Sequence, residues 1–330
     1  MCCPTLEYSN PLKITIIYYH YSKMKRLILY IFFVATTFIA IAESRADKLL
    51  RELNNPKSEY VFVVAHRADW RNFPENSLEA IESAINMGVD IVELDIHRTA
   101  DGELVVCHDK TINRTTNGKG AIKELTLDYI KSRYLRAGHN ATTRYKMPTL
   151  AEALDLCKDR VLINIDKGIN YYDQVLEMLV KRKMVNQVII KSSKSAEEMK
   201  RFFAKHDQNM LYMPVIKYNA KLWEKYEQIF VEHLSTDLPF VAFEMCWNGS
   251  LSGEKRVFDK VLKSGKRLWI NTLWGSVCGG YENGYYDDAA VGNEDKIYGK
   301  ILSYGASMIQ TDRPAMLIKY LDSKGRHTLK

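Results

Sequence analysis

Cysteine is scarce, with six in 330 residues, too few for a fold built on disulfides. Eight prolines and 17 glycines exclude a collagen-like chain, and no internal repeat or low-complexity tract occurs. Charge is not massed in one sign: 47 Lys+Arg against 40 Asp+Glu leaves a dispersed net charge of +7. So mild an excess suits an anionic substrate and gives no nucleic-acid footprint, so no nucleic-acid partner is expected. With 46% hydrophobic residues the chain is not disordered by composition. It is long enough for one α/β barrel of roughly 250 residues or for two smaller domains.

Only one long apolar run exists, LILYIFFVATTFIAIA at 27–42. Lys25 and Arg26 precede it and Ala40-Ile41-Ala42 follows the small-x-small pattern, which together read as a secretory signal over 24–42. At 16 residues the run is shorter than the ~20 of a membrane-spanning helix, so a retained anchor is the alternative and no stable span is expected after cleavage. Residues 1–23 are a polar and aromatic preface, expected to be a non-native extension ahead of a true start at Met24. Cleavage after Ala42 leaves 288 residues, and export to a periplasm or medium is the expected localisation. No cysteine follows the run where a lipid would attach. An oxidising compartment would permit a bridge, but Cys107, Cys157, Cys246 and Cys278 are widely spaced, and Cys107 and Cys157, in apolar stretches, read as small buried hydrophobes.

After a leader at 43–60, the chain alternates. Apolar strands are expected near 61–65, 90–95, 161–166, 188–192, 211–216, 240–244, 268–272 and 307–311, with amphipathic helices such as 77–87, 149–158 and 172–183 between them. Eight such units favour an α/β fold, a closed (β/α)8 TIM barrel over 61–320, with a doubly wound sheet as the alternative and 321–330 as a tail. Residues 96–148 are too long for one connection, so they form a small insertion after strand 2, with a further strand at 103–107.

The chemistry gathers at strand ends. Glu93 and Asp95 are two apart and share a face; packed against apolar helices they would need a cation, so the barrel mouth with a bound metal is the cheaper place. Asp101-Gly102 signals a two-residue hairpin, which would pair position 100 with 103 and set His108 opposite Asp95. His66 ends the first strand, followed by Arg67, whose guanidinium forks onto phosphate oxygens. Asn164 and Asp166 share a face of the third strand; Asp166 offers a third oxygen ligand and Lys167 a further cation on phosphate. One divalent ion, Ca²⁺ or Mg²⁺, would hold an anionic phosphate, with His66 and His108 as acid and base.

His66-Arg67, Pro74-Glu75-Asn76-Ser77, Glu93-Leu94-Asp95, Asp101-Gly102 and His108-Asp109 together resemble the glycerophosphodiester phosphodiesterase family. The likeness continues through Arg114-Thr115-Thr116-Asn117-Gly118-Lys119-Gly120, Met147-Pro148-Thr149-Leu150 and Thr311-Asp312-Arg313-Pro314, and spans about 61–320. It implies a TIM barrel and metal-dependent hydrolysis of small-molecule glycerophosphodiesters to glycerol 3-phosphate and an alcohol. It also implies Glu93 and Asp95 as metal ligands, His66 and His108 as the acid/base pair and Arg67 on phosphate. The substrate's own glycerol hydroxyl would attack first, giving a cyclic phosphate that water then opens.

Two departures stand out. The family's Glu-x-Lys on strand three is replaced by Asn164-Ile165-Asp166-Lys167, where Asp166 and Lys167 cannot both face the lumen from a regular strand. Either a bulge turns Lys167 inward, or Asn164 and Asp166 share the ligand role and Lys167 turns out; Asp166 is the expected third ligand. The late strand reads Trp269-Ile270-Asn271-Thr272-Leu273-Trp274 near the family's Trp-Thr-x-Asn, and a Gly- and Tyr-rich loop follows. That leaves Glu75, Asn76, Asn164 and Trp274 as further pocket candidates. Glu75-Asn76 serves equally well as a loop closing on a helix capped by Ser77. Asp109 either orients His108 or begins a turn, His97 is expected to lie farther out, and His139, His206, His233 and His327 to be surface groups. The rival functions are a lyase or phospholipase on lipid headgroups that stops at a cyclic phosphate, and a non-catalytic binding protein.

Overall fold

Phe62–His66 (β1), Ile91–Arg98 (β2), Leu162–Asp166 (β4), Val188–Ser192 (β5), Leu211–Tyr218 (β6), Ala242–Trp247 (β7), Arg267–Asn271 (β8) and Met308–Thr311 (β9) pair in parallel all the way round. β1 bonds to both β2 and β9, so the eight strands close into a barrel. This computed structural model describes residues 43–206, 210–218, 223–248, 254–282 and 284–329, besides Tyr21 and 23–25. The stretch read as a secretory signal, and its preface, lie outside the described residues apart from those four. Among the described residues no helix is long and apolar enough to cross a membrane.

The strands close because each alternates. On one parity Val63, Ala65, Val92, Leu94, Ile163 and Ile165 point outwards onto the helices, among them Leu78–Met87 (α2), Leu150–Cys157 (α4) and Tyr172–Arg182 (α5). On the other parity Phe62, Ile91, Leu162, Ile189, Met213, Ala242, Trp269 and Met308 fill the base of the lumen. Arg45–Leu53 (α1) covers that base: Ser44 caps it, and Ala46, Leu49 and Leu53 bury themselves against the lumen layer. The stretch read as a leader is therefore part of the folded unit, which runs Ser44–Lys330.

The tail is likewise held. His327 Nε2 lies 2.8 Å from the buried Asp90 carboxylate, which also binds Arg45 and Tyr60. His233 is buried too, its Nδ1 donating to the Ile229 carbonyl at 2.8 Å. Both differ from the expected surface placement: inside the fold His327 finds Asp90, and His233 finds the Ile229 carbonyl through Nδ1 while its buried Nε2 has no partner among the described residues. All four described cysteines are free.

The insertion carries Leu104–Val106 (β3), Leu127–Ser132 (α3) and its own small core of Val105, Ile112, Ile122, Ile130, Leu135 and Met147. β3 pairs antiparallel with β2 as Ile96↔Val106 and Arg98↔Leu104. The hairpin is thus one residue out from the expected register. Its closing bond runs from Thr99 N to Glu103 O around a longer loop that contains Gly102 at φ 92°. Cys107, not His108, stands opposite Asp95, and its N–H donates to the Asp95 carbonyl at 2.9 Å.

Candidate active site

Two residues above the apolar base, the inward parity turns polar. Ile91 is followed by Glu93 and Asp95, Leu162 by Asn164 and Asp166, Ile189 by Lys191, Ala242 by Glu244, Trp269 by Asn271 and Met308 by Gln310. Their upper members, with His66, Arg67, His108, Lys167 and Trp274, line a cavity of about 500 Å³ at the carboxyl ends of the strands.

Glu93, Asp95 and Asp166 each turn one oxygen to a common point, those atoms lying within 4.8 Å of one another. Glu93 and Asp95 are buried, and Asp166 is partly open. Burial and the neighbouring Asp95 push the Glu93 carboxyl up to about 7. Burial pushes Asp95 up as well, but Lys167 and His108 outweigh it and its carboxyl stays low. Three crowded carboxylate oxygens with no sulfur or imidazole among them suit a hard divalent cation of the Ca²⁺ or Mg²⁺ kind.

Lys167 resolves the strand-three conflict in a way the sequence did not suggest. β4 ends at Asp166, and Lys167 takes a left-handed backbone, φ 62° and ψ 3°, which swings its side chain back over the mouth. Its Nζ donates to Asp95 Oδ1 at 2.8 Å and to the His108 carbonyl at 3.1 Å. Asp166 and Lys167 therefore both reach the site without a bulge. Asn164 does not: it sits one layer down, fully buried, its Nδ2 donating to Ile189 O at 3.0 Å.

His66 Nδ1 donates to Asp312 Oδ1 at 2.8 Å, and Trp70 Nε1 donates to the same oxygen at 2.7 Å. Asp312 is fixed in turn by its N–H, which donates to the buried Asp287 carboxylate. His108 is more open, with Nδ1 donating to Asp109 Oδ1 at 2.8 Å. Arg114 clamps Asp109 with Nε and Nη2 and also forks onto Glu75 at 2.6 and 2.8 Å, and Glu75 pairs with Arg67 at 3.2 Å. Glu75 thus stands behind Arg67 rather than in the cavity wall. Asn76, also outside the wall, is buried with φ 60° and donates Nδ2 to Asp95 Oδ2 at 3.3 Å. His97 lies behind His108, its Nε2 at 3.2 Å from the His108 carbonyl. Trp274 is at the rim, its ring 5.8 Å from the His66 ring.

Lys191 and Glu244 are among the site residues that sequence reasoning missed. Lys191 is buried with Nζ 3.9 Å from Glu93, 3.8 Å from Asp166 and 3.5 Å from Glu244. Burial lowers its affinity for the proton, but Glu244 and Asp166 more than offset this and hold it charged. Asn271 Nδ2 donates to Glu244 at 2.7 Å. The available signal was one charged residue inside each of two apolar strands, VIIKS and AFEMCW.

The fold recurs among solved structures. A glycerophosphoryl diester phosphodiesterase from Parabacteroides distasonis superposes with a TM-score of 0.66 at 20% identity, covering 84% of this chain and 92% of its own. A phosphodiesterase from Oleispira antarctica, solved with sn-glycerol-3-phosphate, gives a TM-score of 0.57 at 19% identity, over 79% of this chain and 96% of its own. The model of the glycerophosphoryl diester phosphodiesterase family matches residues 66–233, half of the chain, and that of a domain of unknown function matches 212–321. The chain belongs to the glycerophosphoryl diester phosphodiesterase family. A glycerophosphodiester phosphodiesterase from Caldanaerobacter subterraneus is 43% identical over 125 residues, 36% of this chain and 51% of that protein. Mouse glycerophosphodiester phosphodiesterase 1 is 36% identical over 132 residues, 39% of this chain and 38% of its own length. The chain spans about half the length of the curated relatives it matches first.

Proposed function

We propose that the protein hydrolyses glycerophosphodiesters to glycerol 3-phosphate and an alcohol, with one divalent metal ion, and that residues 24–42 direct its export. The observation that carries the reading is the meeting, in one cavity, of a three-carboxylate cluster with two imidazoles that are each tied to a carboxylate of their own.

Glu93, Asp95 and Asp166 would hold the metal, which when bound supplies Lewis-acid stabilisation of charge on the phosphate oxygens. Arg67 and Lys167 bring positive charge to the phosphate from the two flanking strand ends. Because a carboxylate only accepts, Asp312 and Asp109 keep the proton of each imidazole on Nδ1 and leave Nε2 for the cavity. One Nε2 takes the proton of the substrate's glycerol hydroxyl as its oxygen attacks phosphorus, and the other gives a proton to the departing alcohol. A cyclic phosphate results. The second imidazole then takes a proton from water as the ring opens, and the first returns its proton to the glycerol oxygen, so both end as they began.

The test is a panel of glycerophosphodiesters with Ca²⁺, Mg²⁺ and Mn²⁺, read by glycerol 3-phosphate release and phosphorus NMR. Expected is monoester formation that stops with chelator and falls ~10²–10⁴-fold in His66→Ala and His108→Ala. A persistent cyclic phosphate with no monoester would make it a lyase. Binding without turnover would make it a non-catalytic protein, and undiminished activity in either histidine variant would remove the acid/base assignment.

A further inference from the structure

The cavity carries more positive charge than its carboxylates engage. Arg67, Lys167 and Lys191 each meet an acid: Asp95 and Glu75, Asp95 and Asp166, and Glu93, Asp166 and Glu244. Lys194 and Lys217 also line the cavity and are exposed, yet neither has a hydrogen-bonded or ion-paired side chain among the described residues. Both belong to one stretch of wall. Lys217 is on β6, inward parity, two residues beyond Val215 and four beyond Met213 of the apolar base. Lys194 is in the loop after β5, beside Ser192 and Ser193 of the same lining.

Going round the barrel from β1 the order is β2, β4, β5, β6, so this wall stands across the mouth from His66. The reacting phosphate must lie between His66, on β1, and His108, just past the β2–β3 hairpin. A group attached to it that extends across the mouth arrives at Lys194 and Lys217. The phosphodiester itself bears one negative charge, which Arg67 already faces. Two ammonium groups farther along, unpaired among the described residues, therefore have nothing to neutralise in a neutral or cationic alcohol, and would repel the latter.

We infer that Lys194 and Lys217 form a second anion subsite that selects glycerophosphodiesters whose alcohol carries its own phosphate or carboxylate. The inference rests on the hydrolytic reading above and names its substrate class. A flexible, singly charged lysine suits such a role, since it follows anions of differing shape. Trp274, on β8's side of the rim, is the feature that would instead favour a choline cation.

Two measurements separate the possibilities. The first is kcat/KM for glycerophosphoinositol 4-phosphate, glycerophosphoglycerol and glycerophosphocholine. The second is the Kd of the same three for the His66→Ala/His108→Ala protein, which binds without turnover. We expect the phosphate-bearing diester to lead glycerophosphocholine by on the order of tenfold or more in both, with the lead shrinking as salt is added. Lys194→Gln/Lys217→Gln should bring both ratios close to one, and Lys217→Glu should invert them. Equal or better use of glycerophosphocholine, or ratios indifferent to the lysine substitutions, overturns the inference while leaving hydrolysis intact. Selective binding of the phosphate-bearing diester with no turnover of any diester supports the subsite and sinks the hydrolytic reading instead.

Discussion

Lys191→Met removes a buried ammonium while keeping the length of its stem. Lys191 lies 3.9, 3.8 and 3.5 Å from Glu93, Asp166 and Glu244. At an effective dielectric of about 20 each attraction is roughly 4 kcal/mol before desolvation is counted. The ammonium's own burial offsets much of that, and Asp166 is partly open to water. What the substitution leaves, however, is a set of buried acids with one cation fewer, and stripping one partner from a buried pair costs about 3–5 kcal/mol. For a domain of this size, 2–4 °C per kcal/mol turns that into a midpoint lower by roughly 6–20 °C. The assay is scanning calorimetry at pH 8 with excess chelator. Adding Glu244→Gln should recover part of the loss, because the nearest acid is then neutral, and Ca²⁺ should recover part by supplying charge to the other two. A loss below about 1 kcal/mol, or a double variant no more stable than the single, would refute the view that Lys191 is the counter-ion of the cluster.

Three other outcomes are expected. Glu93 titrates near 7 in the folded protein and near 4.5 unfolded, so between those values the folded state binds the extra proton and stability falls as pH rises. In chelator the unfolding free energy should therefore drop from pH 5 to pH 8, by on the order of 3 kcal/mol at most, and Glu93→Gln should flatten that slope; an unchanged slope contradicts the assignment. Asp312→Asn removes the charge-assisted partner of His66 Nδ1 and should lower kcat by ~10–100-fold with little change in KM, read by glycerol 3-phosphate release. Arg114→Met frees both Glu75 and Asp109, and so should lower kcat by about tenfold through His108 and Arg67 while the unfolding free energy, from denaturant titration, stays within about 1 kcal/mol of the parent, since Arg114 is half exposed.

Most of the barrel is written in local signals. Each of the eight expected strands overlaps an observed one, because apolar runs bounded by helices have few other ways to bury both faces. Ser77 and Thr149 cap their helices, as the sequence around each suggests. What local reading misses is long-range in origin. Nothing near residue 45 says that Leu49 will close the barrel base, nor does the tail announce that His327 will bind Asp90, 237 positions earlier. The hairpin register fails for a related reason. Asp101-Gly102 does mark the turn, but Ala100 N–H is taken by Leu125 O and the closing bond moves out to Thr99 and Glu103, so loop length is set by the insertion's own packing.

The same distinction orders the site. Glu93, Asp95, His66 and His108 are legible because each belongs to a dense local motif, His-Arg, Glu-Leu-Asp or His-Asp, on or just past a strand. Lys191 and Glu244 are not, since an isolated charge in VIIKS or AFEMCW looks like an edge residue until the barrel closes. Closure makes parity decisive: once Ile189 and Ala242 are known to face the lumen, Lys191 and Glu244 must face it too, one layer higher. The parity rule also puts Asn164 below the cavity and fails at Lys167 and Arg67, where the strand has ended and a left-handed residue reverses the side chain. Strained backbone recurs at Arg67, Ala68 and Asn76, with φ of 52°, 64° and 60°. Each costs of the order of 1 kcal/mol, and all three flank the carboxylates. With Lys167, four of the seven non-glycine residues at positive φ thus stand at the barrel mouth, where side chains converge on one cavity, and the other three, Asn140, Asp159 and Lys183, lie elsewhere in the chain.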